Sequence, residues 1–205
     1  MKNRKAKVAV LVSGGGTNLQ AILDYQKAGK LKNGEVVTVI ASNPNAYALK
    51  RAENFGITGA VVSRKGLSQV EFEKGIIDNL EKAGAEVIVL AGFMSILSAD
   101  FTKKYENRII NVHPSLIPSF CGEGFYGLKV HEAALGYGVK VTGATVHFVN
   151  EVADGGKIIM QKAVKIQEGD TPEVLQQRVM REAEWKILPK ALDQVCKSVL
   201  KGEIK

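Results

Sequence analysis

Four short apolar runs, each closed by turn residues and separated by helical stretches, constrain this chain more than any other feature. Residues 8–12, 35–41, 59–62 and 86–91 read as buried strands, three of them ending at Ser13-Gly14-Gly15-Gly16, Ser42-Asn43-Pro44 and Gly92. Between them, 17–23, 46–54 and 68–83 carry apolar residues at helical spacing, such as Leu19, Ile22 and Leu23, or Phe72, Ile76 and Leu80. Strand–helix alternation of this kind predicts a parallel sheet with right-handed crossovers. A fifth strand is expected at 108–112, and then the rhythm changes. A long loop, 113–128, holds Pro114, Pro118, Gly122, Gly124 and Gly127, and a helix follows near 129–135. Residues 141–149 and 157–166 read as an antiparallel pair joined through Asp154-Gly155-Gly156. From Thr171, a cap followed by Pro172 at the first helical position, the tail is helical, and Pro189 is expected to break or kink it. The fold class is therefore α/β: a Rossmann-like, mostly parallel twisted sheet with helices on both faces and antiparallel strands added in the C-terminal half. No repeat or linker divides residues 1–205, so one domain is expected.

Charge excludes little. The net charge is +7, but Lys2, Arg4, Lys5 and Lys7 lie at a start expected to fray. Without them, 24 basic residues face 21 acidic ones, a surplus that phosphate or carboxylate substrates explain. No basic block interleaved with aromatics points to nucleic acid. Cys121 and Cys196, the only cysteines, form no disulfide framework or zinc motif, so no metal is expected. The absence of a signal-like or membrane-spanning stretch leads to an expected cytoplasmic location, with no membrane partner.

Three segments carry chemistry. Asn111-Val112-His113-Pro114 ends a strand, so the amide and imidazole share one face, and proline stops the ladder after them. Carboxyl ends of strands are where open α/β sheets bind ligands. Asp154, before two glycines, adds a carboxylate, although taken by itself it reads first as a turn residue. Ser13-Gly14-Gly15-Gly16-Thr17-Asn18 joins a strand to a helix, where free N–H groups and the dipole suit a monophosphate. It lacks the dinucleotide spacing, since position 19 is leucine, and no Lys-Ser/Thr follows. A tight turn is the alternative. Ala91-Gly92-Phe93-Met94-Ser95-Ile96-Leu97 either caps the core or lines a slot for a flat heterocycle. His131 reads as structural, and His147 points into the site or is packed.

Taken in order, the segments beginning at Ser13, Ala91 and Asn111, together with Val146-His147-Phe148-Val149 and Asp154-Gly155-Gly156, closely resemble the phosphoribosylglycinamide formyltransferase family of purine biosynthesis over residues 7–200. The resemblance implies formyl transfer from 10-formyltetrahydrofolate, as co-substrate, to the amine of 5-phosphoribosylglycinamide through a tetrahedral intermediate. It implies catalytic roles for Asn111, His113 and Asp154, with Asp154 raising the pKa of His113 by charge pairing. Gly15, Gly16, Thr17 and Asn18 match the substrate phosphate loop, within a phosphate-binding half (7–100). Glu184 matches a ribose-binding glutamate only with a one-residue shift, which leaves Glu182 as a rival. Met94, Ser95, Ile96, Leu97, Asn111 and Val149 match the folate pocket, completed by the catalytic half (101–200). Gln69 stands where the family often carries a basic residue, with Arg64 or Lys65 as substitutes, and 119–127 departs from the family's usual Pro-Gly version. Small-molecule substrates and a monomer or homodimer are implied.

Two relatives share the triad. Methionyl-tRNA formyltransferase carries a further C-terminal domain and formyltetrahydrofolate deformylase a further N-terminal one, and neither is expected here. A non-catalytic nucleotide-binding domain would leave Asn111, His113 and Asp154 unexplained.

Overall fold

The structure, a computed structural model, describes residues 4–204. Seven strands form one sheet in the order β3-β2-β1-β4-β5-β6-β7. The strands β1 (Ala6–Val12), β2 (Gly34–Ala41), β3 (Thr58–Val61), β4 (Val87–Leu90) and β5 (Ile109–His113) run parallel. β6 (Val141–Phe148) and β7 (Ile158–Lys165) are antiparallel additions. This is the expected sheet, including the change of direction after β5.

Strand alternation sorts side chains onto two faces. On one, Val8, Val10, Val12, Ile110, Val112, Ala144 and Val146 pack in a core with α1 (Thr17–Lys27), α6 (Pro172–Val179) and α7 (Trp185–Leu200). On the other, Ala9, Leu11, Ile88 and Ile109 meet Phe72, Ile76 and Leu80 of a long helix, α3 (Gln69–Ala83). The helices α2 (Tyr47–Asn54) and α5 (Leu128–Tyr137) complete the first face. Phe101 and Tyr105, in and just after α4 (Ala99–Lys104), extend the second core. The sequence reading did not single out α4, because six residues are too few for a helical period to stand out. Glu73, itself buried, holds the start of α4 by accepting from the Ser98 N–H (2.5 Å) and hydroxyl (2.6 Å).

Two expectations need correction. Arg4, Lys5 and Lys7 are anchored rather than frayed: Arg4 pairs with Glu86, Lys5 Nζ donates to the Leu31 carbonyl (3.0 Å) and Lys7 lies in β1. Lys2 falls outside the described residues. Pro189 does not end the C-terminal helix, which continues to Leu200. The irregularity precedes it, as a π turn over Met180–Glu184. The bond Pro189 cannot make would reach the Trp185 carbonyl, next to where the π turn already interrupts the ordinary ladder.

Leu188 and Leu192 of α7 are fully buried and hold this helix, and the π turn with it, against the sheet. Leu188→Ala is expected to cost about 2–5 kcal/mol, read from the denaturant midpoint.

Candidate functional site

The second helical layer, α3 and α4, covers β1, β4 and the start of β5. Beyond it, Asn111 and His113 of β5 and Thr145 and His147 of β6 share the same face, paired across the ladder as Asn111 with His147 and His113 with Thr145. Loops cover this face. Residues after β5 are pinned by Thr145, whose hydroxyl donates to the Ser115 carbonyl (2.7 Å) and accepts from the Ile117 N–H (3.1 Å). Gln161 of β7 donates to the Ile117 carbonyl (3.0 Å). The β6–β7 connection folds back over the same polar face.

That fold-back delivers Asp154. Its carboxylate lies 3.3 Å from His113 Nδ1 and 3.5 Å from His147 Nε2, and it accepts from the Gly122 N–H at 2.9 Å. Asp154 has a left-handed backbone, φ 54°, which aspartate tolerates. Gly156 is obligatory for the turn: a Cβ there would sit 1.8 Å from the Phe148 carbonyl oxygen. The turn role and the carboxylate role of Asp154 are thus fulfilled together. His147 faces the site, donating from Nδ1 to the Phe148 carbonyl (2.8 Å) and accepting from Asn111 Nδ2 (3.3 Å).

His113 is buried, and both ring nitrogens face acceptors: Nε2 donates to the Phe120 carbonyl at 2.8 Å, while Nδ1 faces Asp154. Burial is the largest influence on its pKa and lowers it; Asp154 and the Phe120 carbonyl pull upward without offsetting that. The expected upward shift is therefore corrected: the carboxylate acts in the expected direction, but desolvation outweighs it. For Asp154, burial pushes upward, yet His147, the Gly122 N–H and His113 together hold the carboxyl below its ordinary value. His131 is buried and neutral, its pKa pushed down to about 4 by burial and then by His113. The sequence carried no signal for Thr145, Gln161, Phe120 or Gly122, because their roles run through distant backbone groups.

The glycine loop separates into two functions. Gly16 has φ 70°, and a Cβ there would lie 2.6 Å from Ala48 Cβ, so the turn and the approach of α2 require glycine. Gly14 and Gly15 have neither a positive φ nor any atom within 4 Å of a Cβ. They border a cavity of about 280 Å3 with Thr17, Asn18, Ala91 and Gly92. Folding alone does not demand glycine there; a ligand lying on the backbone at the start of α1 would. A larger hollow of about 440 Å3 runs along the outer side of α1 towards Arg51 and Trp185, away from the polar face. Ser13 ties the cradle to the next loop, accepting from the Met94 N–H at 2.9 Å.

The π turn gives the two glutamates different surroundings. Glu184 is buried and accepts from Asn18 Nδ2 at 2.7 Å, whereas Glu182 is exposed. One extra residue in the turn rotates Glu184 inward towards the cradle. Desolvation, only partly countered by Asn18, raises its pKa to about 7.

The segment after β4 is split. Met94 and Ile96 are exposed, while Leu97 is buried in the second core with Val149 packed against that core. Of the two readings, Leu97 and Val149 take the core-capping one, and Met94 and Ile96 leave an apolar lip. Ser95 lies between them, half-buried. Gln69 is occupied structurally, donating to Glu73 (2.6 Å) and to the Ile96 carbonyl (3.0 Å). It steadies the lip rather than offering a charge. Among the described residues, no group of three His, Cys, Asp or Glu side chains is disposed to hold a metal, and no helix is long and apolar enough to cross a membrane.

The formyl transferase family pattern matches residues 6–192. The chain belongs to that family. It is 41% identical over 184 residues to phosphoribosylglycinamide formyltransferase of Haemophilus influenzae, covering 89% of this chain and 84% of that protein. It is 44% identical over 196 residues to the trifunctional purine biosynthetic protein adenosine-3 of Gallus gallus, covering 95% of this chain but spanning only 19% of that protein. The crystal structure of glycinamide ribonucleotide transformylase 1 from Symbiobacterium toebii superposes with a TM-score of 0.88 at 38% identity, covering 95% of this formyltransferase chain and 89% of that one.

Two outcomes follow from the cradle. Gly14→Ala is expected to keep the stability of the parent while weakening binding of a ribose 5-phosphate ligand at least tenfold by calorimetry, whereas Gly16→Ala lowers the melting temperature with no ligand present. Between pH 4.5 and 7 the folded protein retains a proton on Glu184 that the unfolded chain has released, so stability falls as pH rises through this window. Glu184→Gln removes that loss: denaturation should show the variant more stable than the parent at pH 8, by on the order of 3 kcal/mol, and not at pH 4.

Proposed function

We propose that this formyltransferase moves a formyl group from 10-formyltetrahydrofolate to the amine of 5-phosphoribosylglycinamide. The observation that carries the proposal is the meeting of Asn111, His113 and Asp154 on one polar face beside a glycine cradle that folding alone does not explain. The relatives named above as phosphoribosylglycinamide formyltransferase and glycinamide ribonucleotide transformylase support the same reading.

Each half of the substrate pair has a matching feature. The cradle of Gly15, Gly16, Thr17 and Asn18 suits the phosphate, with backbone N–H groups and the start of α1. Glu184, held beside Asn18, suits the ribose hydroxyls as an acceptor. From the cradle at β1 to the polar residues of β5 is two strand spacings, about 10 Å, which a ribose can bridge. The exposed Met94 and Ile96 suit one face of the pterin of the folate co-substrate, with Ser95, Leu97 and Val149 shaping the wall behind. Arg64 or Lys65 would serve as the cation for its acidic end, since Gln69 is engaged elsewhere.

In the reaction, the amine nitrogen bonds to the formyl carbon and the carbonyl π pair moves onto oxygen. The Asn111 amide keeps one N–H for that oxyanion, the other being turned to His147. Protonated His113 would add positive charge close by, stabilised between Asp154 and the Phe120 carbonyl. A proton must leave the attacking nitrogen and one must reach the departing folate nitrogen; the His113–Asp154 pair is placed to relay it. The same set could deliver the formyl group to water, as in a deformylase, but a cradle beside it favours a phosphorylated acceptor.

A turnover assay with both substrates, read by absorbance of the released folate, should show transfer dependent on the amine. Asp154→Asn should lower turnover by about 10³-fold or more with the fold retained by circular dichroism. Near-parental turnover in that variant would remove Asp154 from the mechanism.

A further inference from the structure

The loop at 119–127 touches both central groups with its backbone, and it does so on either side of a single residue. The Phe120 carbonyl accepts from His113 Nε2 at 2.8 Å, and two residues on, the Gly122 N–H donates to Asp154 at 2.9 Å. Phe120 has φ 48°, a left-handed conformation that a bulky side chain rarely adopts. Its ring lies edge-on to Phe125, with centroids 6.4 Å apart, and to Tyr137, at 6.1 Å. The start of the loop is pinned as well, by the Ser115 hydroxyl donating to the Ser119 carbonyl. The aromatic packing therefore offsets an unfavourable backbone, and what that backbone achieves is the aim of one carbonyl at one imidazole nitrogen.

We propose that Phe120 is a positioning residue for His113: its anchored carbonyl fixes the Nε2–H tautomer, so that Nδ1, facing Asp154, is the nitrogen that gains and loses the proton. A carbonyl oxygen only accepts, so the ring must keep a hydrogen on Nε2 while that contact stands. The neutral ring then has its lone pair on Nδ1, 3.3 Å from Asp154 Oδ2. An incoming proton therefore settles on the line between Nδ1 and the carboxylate, the place from which it can be returned. The other titratable groups around the ring are His147 on β6, His131 on α5 and Cys121 in the loop itself. None of these offers a competing acceptor to Nε2: His131 makes no hydrogen bond, His147 is directed to Asn111 and Phe148, and the Cys121 thiol donates to the Pro118 carbonyl. The proposal rests on the formyl-transfer reading for its consequence but not for its geometry.

Long-range ¹H–¹⁵N spectra of the histidine-labelled full chain test it directly, without substrate. The parent should show His113 as the Nε2–H tautomer, with Nδ1 unprotonated above its titration. Phe120→Gly keeps a backbone that accepts a positive φ but removes the anchoring ring. It should give mixed tautomers, move the His113 titration to lower pH through loss of an acceptor, and lower kcat about tenfold with KM within twofold. Tyr137→Ala removes one edge contact from a residue that is 82% exposed, so it folds even where Phe120→Gly does not, and it should shift the tautomer ratio in the same sense by less. A parent ring in the Nδ1–H form would overturn the proposal. So would variants that lose turnover while the tautomer and titration stay unmoved. Parent spectra as expected in a protein that transfers no formyl group would overturn the reaction instead and leave the clamp standing.

Discussion

Everything at the polar end of this molecule depends on one fold-back. Asp154 reaches His113 because the β6–β7 connection returns over the part of the sheet face beyond α3 and α4. The change from parallel to antiparallel after β5 makes that possible. A sixth parallel strand would have required a crossover, and its helix would have landed on one of the faces. The antiparallel β5–β6 connection does hold a helix, α5, but residues 114–127 run before it as a loop and β6–β7 is joined without one, and loops can bring carbonyls, N–H groups and a carboxylate to the same place.

The polar cluster is held against a steep cost. His113 and Glu184 are each nearly removed from water, and for each, burial is the leading influence on its protonation. What makes such groups tolerable is their partners: the Phe120 carbonyl for Nε2 of His113, the Asn18 amide for Glu184, and the Gly122 N–H for the Asp154 carboxylate that lies beside two histidines. Supporting contacts come from residues with no chemistry of their own. Thr145 and Gln161 secure the loop after β5, Gln69 and Glu73 steady the loop after β4, and Ser13 links that loop to the cradle. Two hydrogen-bonded sets thus stand side by side, one around the loops after β1 and β4 and one around the ends of β5 and β6.

Much of this was legible in the chain. The five parallel strands, the antiparallel pair, the Thr171 cap and the pairing of Asn111 with His113 on one face all follow from period-2 and period-3.6 patterns. Asp154 was legible as a candidate carboxylate, and the glycine loop as a candidate cradle. The misses share a cause. Helix α4 is too short to show a period, and the effect of Pro189 was misjudged because a π turn had already altered the ladder beside it. Leu97 is buried in the second core and Val149 packs against it while Met94 and Ile96 are exposed, a division that a string of letters does not show. The pKa of His113 was placed on the wrong side because charge pairing can be guessed from residue types, whereas depth of burial cannot.

By itself, the amino-acid sequence determined the sheet, its order of elements and the chemical types available at strand ends, because those depend on local periodicity and on where glycine and proline interrupt it. Only the tertiary structure decided which glutamate turns inward, which glycines serve folding and which border open space, and which nitrogen of His113 carries its hydrogen. Each of those is set by a contact between residues distant in the chain: Glu184 with Asn18, Gly16 with Ala48, His113 with Phe120. Local pattern carries no information about such contacts, since they arise only once the strands are side by side and the loops have closed over them.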